Sequence, residues 1–232
     1  MIPVTDLGDF RPRAVVFDLD GTLAHNMPLH GEAFAVFVAR HGLPELTLER
    51  RRQLDGKRNS EIFPVLFGRP LTEAEWRAYE HEKESLYREV AKGRLRALAG
   101  ASRLLDALEA KGVRTAVATS APEANVTFTL REMGLERLLA TVVRGDQVPR
   151  GKPFPDVFLA AARALDVEPE DCLAFEDAPM GVEAAIAAGM PCVAVTTSFD
   201  AATLRAASVA PTAVVADFDE FLAGAGRWLL AP

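Results

Sequence analysis

Cysteine is scarce in this chain: Cys172 and Cys192 are the only two, and each stands inside an apolar, strand-like run. Their spacing matches neither a zinc motif nor a redox pair, so two reduced, buried thiols are expected. No run of about 18 apolar residues occurs, which excludes a membrane-spanning helix. The opening Met1-Ile2-Pro3-Val4-Thr5-Asp6 lacks a basic stretch followed by an apolar one, so no signal peptide and a cytoplasmic location are expected. Positive charge is in deficit, with 26 Lys and Arg against 33 Asp and Glu and a net charge of −7. A field of that sign disfavours nucleic acid and anionic membrane as partners. Any anionic substrate must be drawn by a local positive site, a metal ion or a lysine. Internal repeats and low-complexity tracts are absent too, and a monomer is expected.

What the chain does have is 232 residues, 49% of them hydrophobic, enough for one large domain or a core with a smaller insertion. The apolar run Ala14-Val15-Val16-Phe17 stops abruptly at Asp18-Leu19-Asp20-Gly21-Thr22-Leu23. Alternate residues of a strand point the same way, so Asp18 and Asp20 can share one side of the strand's carboxyl end. Two neighbouring carboxylates repel unless a cation or a proton intervenes. Gly21 then permits a sharp turn or the close approach of a ligand.

The stretch from about Pro28 to Lys92 is charged and helical in period. Leu29, Ala33, Phe34, Phe37 and Val38 mark one helix, stopped at His41-Gly42. Thr72 and Glu75 form a capping box that opens a second helix running toward Gly93. From Leu98 onward, helices alternate with strands. Helices are expected over Ala101–Ala110, Pro122–Met133, Pro153–Leu165 (with proline at its first position), Pro179–Ala188 and from Phe218. Strands are expected over Val113–Ala118, Ala140–Val143, Cys172–Phe175, Cys192–Val195 and Ala213–Ala216. Continuously apolar strands in such an alternation predict a doubly wound parallel α/β sheet covered on both faces. Ligands of such folds sit beyond the strands' carboxyl ends, at a topological switch point.

The strand ends carry chemistry. Thr119-Ser120 precedes a helix start, an arrangement suited to an anion or to a plain N-cap. Lys152 follows Gly151 and precedes Pro153. Glu176-Asp177 closes a strand; Asp177 is the better candidate for a direct cation ligand, with Glu176 acting directly or through water.

Taken together, Phe17-Asp18-Leu19-Asp20-Gly21-Thr22-Leu23, Thr119-Ser120, Lys152-Pro153-Phe154-Pro155-Asp156 and Glu176-Asp177 resemble the four ordered motifs of the haloacid dehalogenase-like (HAD) hydrolases. The resemblance implies a Rossmann-like core over residues 1–27 and 93–232, with a small helical cap over residues 28–92. It implies a Mg2+-dependent phosphatase acting on a small phosphorylated metabolite, a sugar phosphate by subgroup analogy. Asp18 would be the nucleophile and Asp20 the acid–base. Thr119 and the Ser120 amide would grip the phosphoryl group, and Lys152 would neutralise its charge. Asp18, the Asp20 carbonyl and Asp177, with Glu176 directly or through water, would hold Mg2+. His30 stands where the subgroup often has a hinge histidine, and Lys57, Arg58 and Asn59, after the helix-breaking Gly56, are expected to contact the leaving group.

A β-phosphoglucomutase-type mutase is the alternative, since it shares this machinery but must hold a second phosphate. Ala121-Pro122-Glu123 supplies no cation where that enzyme has a Ser-Lys-Asn-type sequence, which favours the phosphatase. His25 replaces the family's usual aspartate. Asp20 and Asp177 argue against a dehalogenase, and the intact motif set argues against a non-catalytic binding protein.

Overall fold

The computed structural model describes residues 7–231, so the expectation drawn from Met1–Asp6 lies outside the described residues. Six strands, β1 (Ala14–Phe17), β2 (Arg114–Thr119), β3 (Thr141–Arg144), β4 (Cys172–Glu176), β5 (Cys192–Val195) and β6 (Ala213–Val215), form one sheet in the order β3-β2-β1-β4-β5-β6. Every pairing is parallel. The chain winds outward from β1 first one way and then the other, so the switch point lies at the carboxyl end of β1, between β2 and β4.

Alternation along these short strands divides the interior into two layers of different character. Val15, Phe17, Val117, Leu173, Phe175 and Val193 face helices α5 (Ala101–Ala110), α6 (Glu123–Met133) and α10 (Phe218–Ala223). Phe17 stacks on Phe175 at 5.3 Å, and the Phe218 ring meets both edge-on. The opposite face is built of Ala14, Val16, Ala116, Ala118, Ala174 and Ala194, with both cysteines buried among them. Such small side chains let α7 (Asp156–Ala164), α8 (Pro179–Ala187) and α9 (Ala201–Arg205) approach the sheet closely. Burial of this kind stabilises by about 25 cal/mol per Å² of apolar surface.

Between β1 and β2 the chain forms α1 (Met27–Arg40), α2 (Leu48–Arg52), α3 (Asn59–Phe67) and α4 (Glu73–Ala91). Phe34, Phe37, Phe63, Leu86 and Tyr87 gather into a hydrophobic cluster of their own. The capping box of α4 forms as read: Thr72 Oγ1 accepts from the Glu75 amide at 3.3 Å, and Glu75 Oε2 accepts from the Thr72 amide at 2.8 Å. Among the described residues, no helix is long and apolar enough to cross a membrane.

One helix start differs from expectation. α7 begins at Asp156, with Pro155 as its N-cap, rather than at Pro153. Phe154 precedes Pro155, and a residue before proline is pushed out of the helical region, so helix cannot begin until Pro155 is passed. Other boundaries move by a residue or so, as fraying ends do.

Candidate active site at the strand ends

The sheet delivers its acids at the switch point. The Asp18 amide donates to the Phe175 carbonyl at 2.9 Å, extending the β1–β4 ladder and fixing the backbone from which the Asp18 carboxylate projects. Lys152 Nζ donates to Asp18 Oδ1 and to Glu176 Oε1, both at 2.6 Å, and to the Ala118 carbonyl at 3.2 Å. All three ammonium hydrogens are thereby used in a buried setting, with the Phe158 ring 5.1 Å away. Asp18, Glu176 and Asp177 each offer a carboxylate oxygen within 4.8 Å of the others.

Glu176 and Asp177 divide their tasks. Glu176 Oε2 accepts from the amides of Asp177 and Ala178 at 2.7 and 2.9 Å, so both its oxygens face protein donors. Asp177 accepts from Thr22 Oγ1 at 3.4 Å and from the Ser198 hydroxyl, and its carboxylate remains on the pocket side. Gly21 is the condition for this: its φ is +86°, and a Cβ there would stand 2.0 Å from Asp177 Oδ2.

Charge in this hollow is unbalanced. Burial pushes the Asp18 carboxyl up to about 8; Lys152 opposes the shift, and Glu176 adds to it. Asp177 is likewise raised well above the usual carboxylate range, by burial and then by Glu176 and Asp18. Burial alone would lower Lys152, yet Asp18 and Glu176 outweigh it and hold the ammonium charged. Asp20 behaves oppositely. Burial would raise it, but His30, Asn26 and Lys83 together bring it below its ordinary value.

The Asp20 side chain turns from the acidic cluster toward α1. Its Oδ1 accepts from Asn26 Nδ2 at 2.6 Å, and its Oδ2 lies 3.6 Å from His30 Nε2. Lys83 Nζ sits 3.1 Å from His30 Nδ1. An ammonium only donates, so Nδ1 is the acceptor and Nε2 carries the hydrogen, aimed at Asp20. Tyr87 stacks on the imidazole at 3.8 Å and holds its plane.

Thr119 is buried, and its Oγ1 accepts from the Ala121 amide at 3.0 Å, leaving its own hydrogen free for an anion. The Ser120 hydroxyl donates to the Gly56 carbonyl at 2.8 Å, so this side chain joins the core to the turn before α3. Lys57 and Asn59 line the hollow, as do Asp18, Asp20, His30, Thr119 and Ser120. Asn59 Nδ2 is engaged with Glu80 Oε1 at 3.1 Å and Glu84 Oε1 at 2.8 Å. Arg58, expected beside the substrate, points elsewhere: its Nη1 donates to the Gly145 carbonyl at 3.3 Å. Between Lys57 and Asn59, which line the hollow, Arg58 packs instead against the loop after β3. The hollow, about 780 Å³ including its open mouth, is roofed by α1, Arg51, Leu54, Asp55 and α4.

Three participants escaped the sequence reading. Asn26 bridges Asp20, Tyr87 and the Gly21 amide. Lys83 and Glu84 are both buried on α4 and line the hollow. The available signal was positional: they fall on the same helical face as Tyr87 and Ala91, where a solvated charge does not belong.

A sequence profile described as haloacid dehalogenase-like hydrolase matches residues 12–189. The chain belongs to that hydrolase family. Among similar proteins, the phosphorylated carbohydrates phosphatase of Thermotoga maritima is 34% identical over 182 residues, 76% of this chain and 82% of the relative. Among solved structures, a family IA, variant 3 HAD hydrolase from Entamoeba histolytica superposes with a TM-score of 0.81 at 27% identity, covering 89% of this chain and 94% of that one. CbbY from Rhodobacter sphaeroides, crystallised with phosphate, superposes with a TM-score of 0.80 at 26% identity, covering 93% and 98%. Membership of this family, with relatives named as phosphatases, makes the chain a phosphoric monoester hydrolase.

Proposed function

We propose that this HAD hydrolase is a Mg2+-dependent phosphatase that cleaves a small phosphorylated metabolite, a sugar phosphate, through an aspartyl-phosphate on Asp18. The observation that carries the reading is Lys152 held at 2.6 Å between Asp18 and Glu176, with Asp177 beside them under the helical roof. Residues 28–92 would act as the cap domain, and residues 1–27 and 93–232 as the catalytic core.

The residues present fit a hard divalent cation. Asp18 and Asp177 are forced toward protonation by burial and by the nearby Glu176 carboxylate, the signature of a site short of positive charge. Their oxygens and the Asp20 carbonyl suit Mg2+, which takes oxygen ligands and keeps several waters. Glu176, with both oxygens engaged, would reach the ion through water. When bound, the ion neutralises phosphoryl oxygens and restores Asp18 to its ionised form.

In the first half-reaction, a carboxylate oxygen of Asp18 attacks phosphorus in line as the ester oxygen departs. Asp20, carrying the proton it takes up from water at the close of the previous turnover, passes it to the leaving alcohol; His30 and Asn26, which hold Asp20 below its ordinary range, then stabilise the carboxylate left behind. In the second half-reaction, ionised Asp20 takes a proton from water, which attacks the phosphorus of the aspartyl-phosphate. Thr119 and the Ser120 amide donate to the phosphoryl oxygens throughout, one such donor being worth roughly 3–4 kcal/mol, while Lys152, its hydrogens held by Asp18, Glu176 and Ala118, acts on those oxygens through its charge.

The mutase reading loses support at the leaving-group end. Ala121-Pro122-Glu123 offers no cation, Arg58 is turned away, and Lys83 is tied to Glu84 at 3.0 Å. A second phosphate would be left with Lys57 and Arg51. Hydrolysis of p-nitrophenyl phosphate with and without Mg2+, followed by a panel of sugar phosphates, tests the proposal. Isomerisation of β-glucose 1-phosphate in the presence of its bisphosphate, outpacing hydrolysis, would decide for the mutase.

A further inference from the structure

We infer that Arg58 is a positioning residue that ties the cap turn to the loop presenting Lys152, so that cap closure and completion of the Asp18–Lys152–Glu176 cluster are one event. The inference rests on the phosphatase reading for its effect on turnover, although the contact itself does not.

The turn at Gly56 touches three core loops at once. Gly56 accepts from Ser120 Oγ at 2.8 Å, beyond β2. Its Cα side approaches Ala178 and Met180, beyond β4, where an added Cβ would lie 3.9 Å from the Ala178 Cβ. Arg58 meets the third loop, beyond β3. Its stem lies in a slot between two glycines: a Cβ on Gly151 would stand 2.8 Å from Arg58 Nε and 3.2 Å from Cδ, and one on Gly145 would stand 3.4 Å from Cδ. Its Nη1 donates to the Gly145 carbonyl at 3.3 Å. Arg58 Nε is buried there without a hydrogen-bond partner, 3.7 Å from Glu61 Oε2. With its Nε buried and its side chain 24% exposed, Arg58 is not a freely solvated charge, and its stem lies this close to the loop because Gly151 has no side chain.

Position in the chain gives the contact its consequence. Gly151 is bonded directly to Lys152, whose ammonium must span Asp18, Glu176 and the Ala118 carbonyl together. Clamping Gly145 and Gly151 against the cap removes freedom from the segment that carries that ammonium. Opening the cap withdraws Arg58 and releases the segment. Reacting groups held within a fraction of an ångström matter greatly to rate, so a loosened Lys152 lowers kcat rather than only raising KM.

The test is a double-mutant cycle of Arg58→Ala and Gly151→Ala, read with p-nitrophenyl phosphate and Mg2+. Arg58→Ala should lower kcat/KM about tenfold to a hundredfold, the range for losing a hydrogen bond from a charged group, with most of the loss in kcat. Millimolar methylguanidinium, which fits the vacated slot, should restore part of it, and Arg58→Lys should fall between. Gly151→Ala alone should be impaired because its methyl group expels Arg58, yet add little in the Arg58→Ala background. Fully additive losses, or an Arg58→Ala enzyme within twofold of wild type, would overturn the inference. Should wild type hydrolyse no phosphate ester, the phosphatase reading fails by itself. The same cycle read in melting temperatures then decides the contact, non-additive shifts supporting it and additive ones refuting it.

Discussion

Adding Mg2+ to the metal-free protein at pH 7 should release protons. Asp18 is pushed up to about 8, chiefly by burial, so at pH 7 it is protonated in roughly nine molecules of ten. Asp177 is likewise raised well above its ordinary range by burial, Glu176 and Asp18. A cation demands ionised carboxylates, so binding should expel about one proton from Asp18 and up to one more from Asp177. Calorimetric titration of MgCl2 in two buffers of different ionisation enthalpy counts those protons directly. Saturable Mg2+ binding at pH 7 with no proton release would refute the electrostatic account of the site. Linkage supplies a second reading. A carboxyl raised in the folded state retains a proton that the unfolded chain gives up, so its stabilising contribution is complete below about pH 4 and is lost as pH rises through about 8. The loss reaches at most about 1.4 kcal/mol per pH unit for each group. Chelator-treated protein should therefore melt at progressively lower temperature between pH 5 and pH 8, and Mg2+ should recover more stability at pH 8 than at pH 5. Asp20, depressed by His30 and its neighbours against the effect of burial, has the opposite sign: its stabilising contribution is complete above its ordinary range and is lost as pH falls below it.

Asp18→Asn should abolish hydrolysis of p-nitrophenyl phosphate, and retention of more than about a tenth of wild-type turnover would contradict nucleophilic attack by this residue. His30→Ala should cost a sugar phosphate about tenfold or more in kcat, yet cost p-nitrophenyl phosphate little in the first half-reaction, because p-nitrophenolate leaves without a proton; equal losses on both substrates would assign His30 a structural part instead. Asn26→Ala strands the Gly21 amide and the Tyr87 hydroxyl and should destabilise by about 1–3 kcal/mol in chemical denaturation, a cost absent if water replaces the amide.

How far the sequence discloses this molecule depends on how local the determining physics is. The strand ends were legible because a parallel sheet leaves few places for a polar residue directly after an apolar run. Asp18, Thr119 and Glu176-Asp177 each follow a strand that the period and composition mark plainly, and the register of β1 with β2 and β4 brings them level. Lys152 was legible from its neighbours, although the helix after it starts later than the first proline suggested. The roof was not legible in the same way. Lys83 and Glu84 read as two ordinary charges on an amphipathic helix, and solvation is the usual fate of such a pair. They are buried because residues distant in the chain satisfy them: Asn125 on α6 donates to Glu84 Oε2 at 2.6 Å, Asn59 donates to Glu84 Oε1, and His30 accepts from Lys83. Burying a charge without such partners would cost several kcal/mol, so the pair is tenable only in the assembled bundle. The orientation of Arg58 has the same origin. Its slot is made by Gly145 and Gly151, far along the sequence, and nothing in Lys57-Arg58-Asn59 itself distinguishes the side chain that faces the core loop from the two that face the hollow. Strand-end chemistry is thus set by near neighbours, whereas which charges of the helical roof face the hollow is set by pairings across the fold. The place of a roof residue follows from what satisfies it on the far side, and its charge alone is a poor guide.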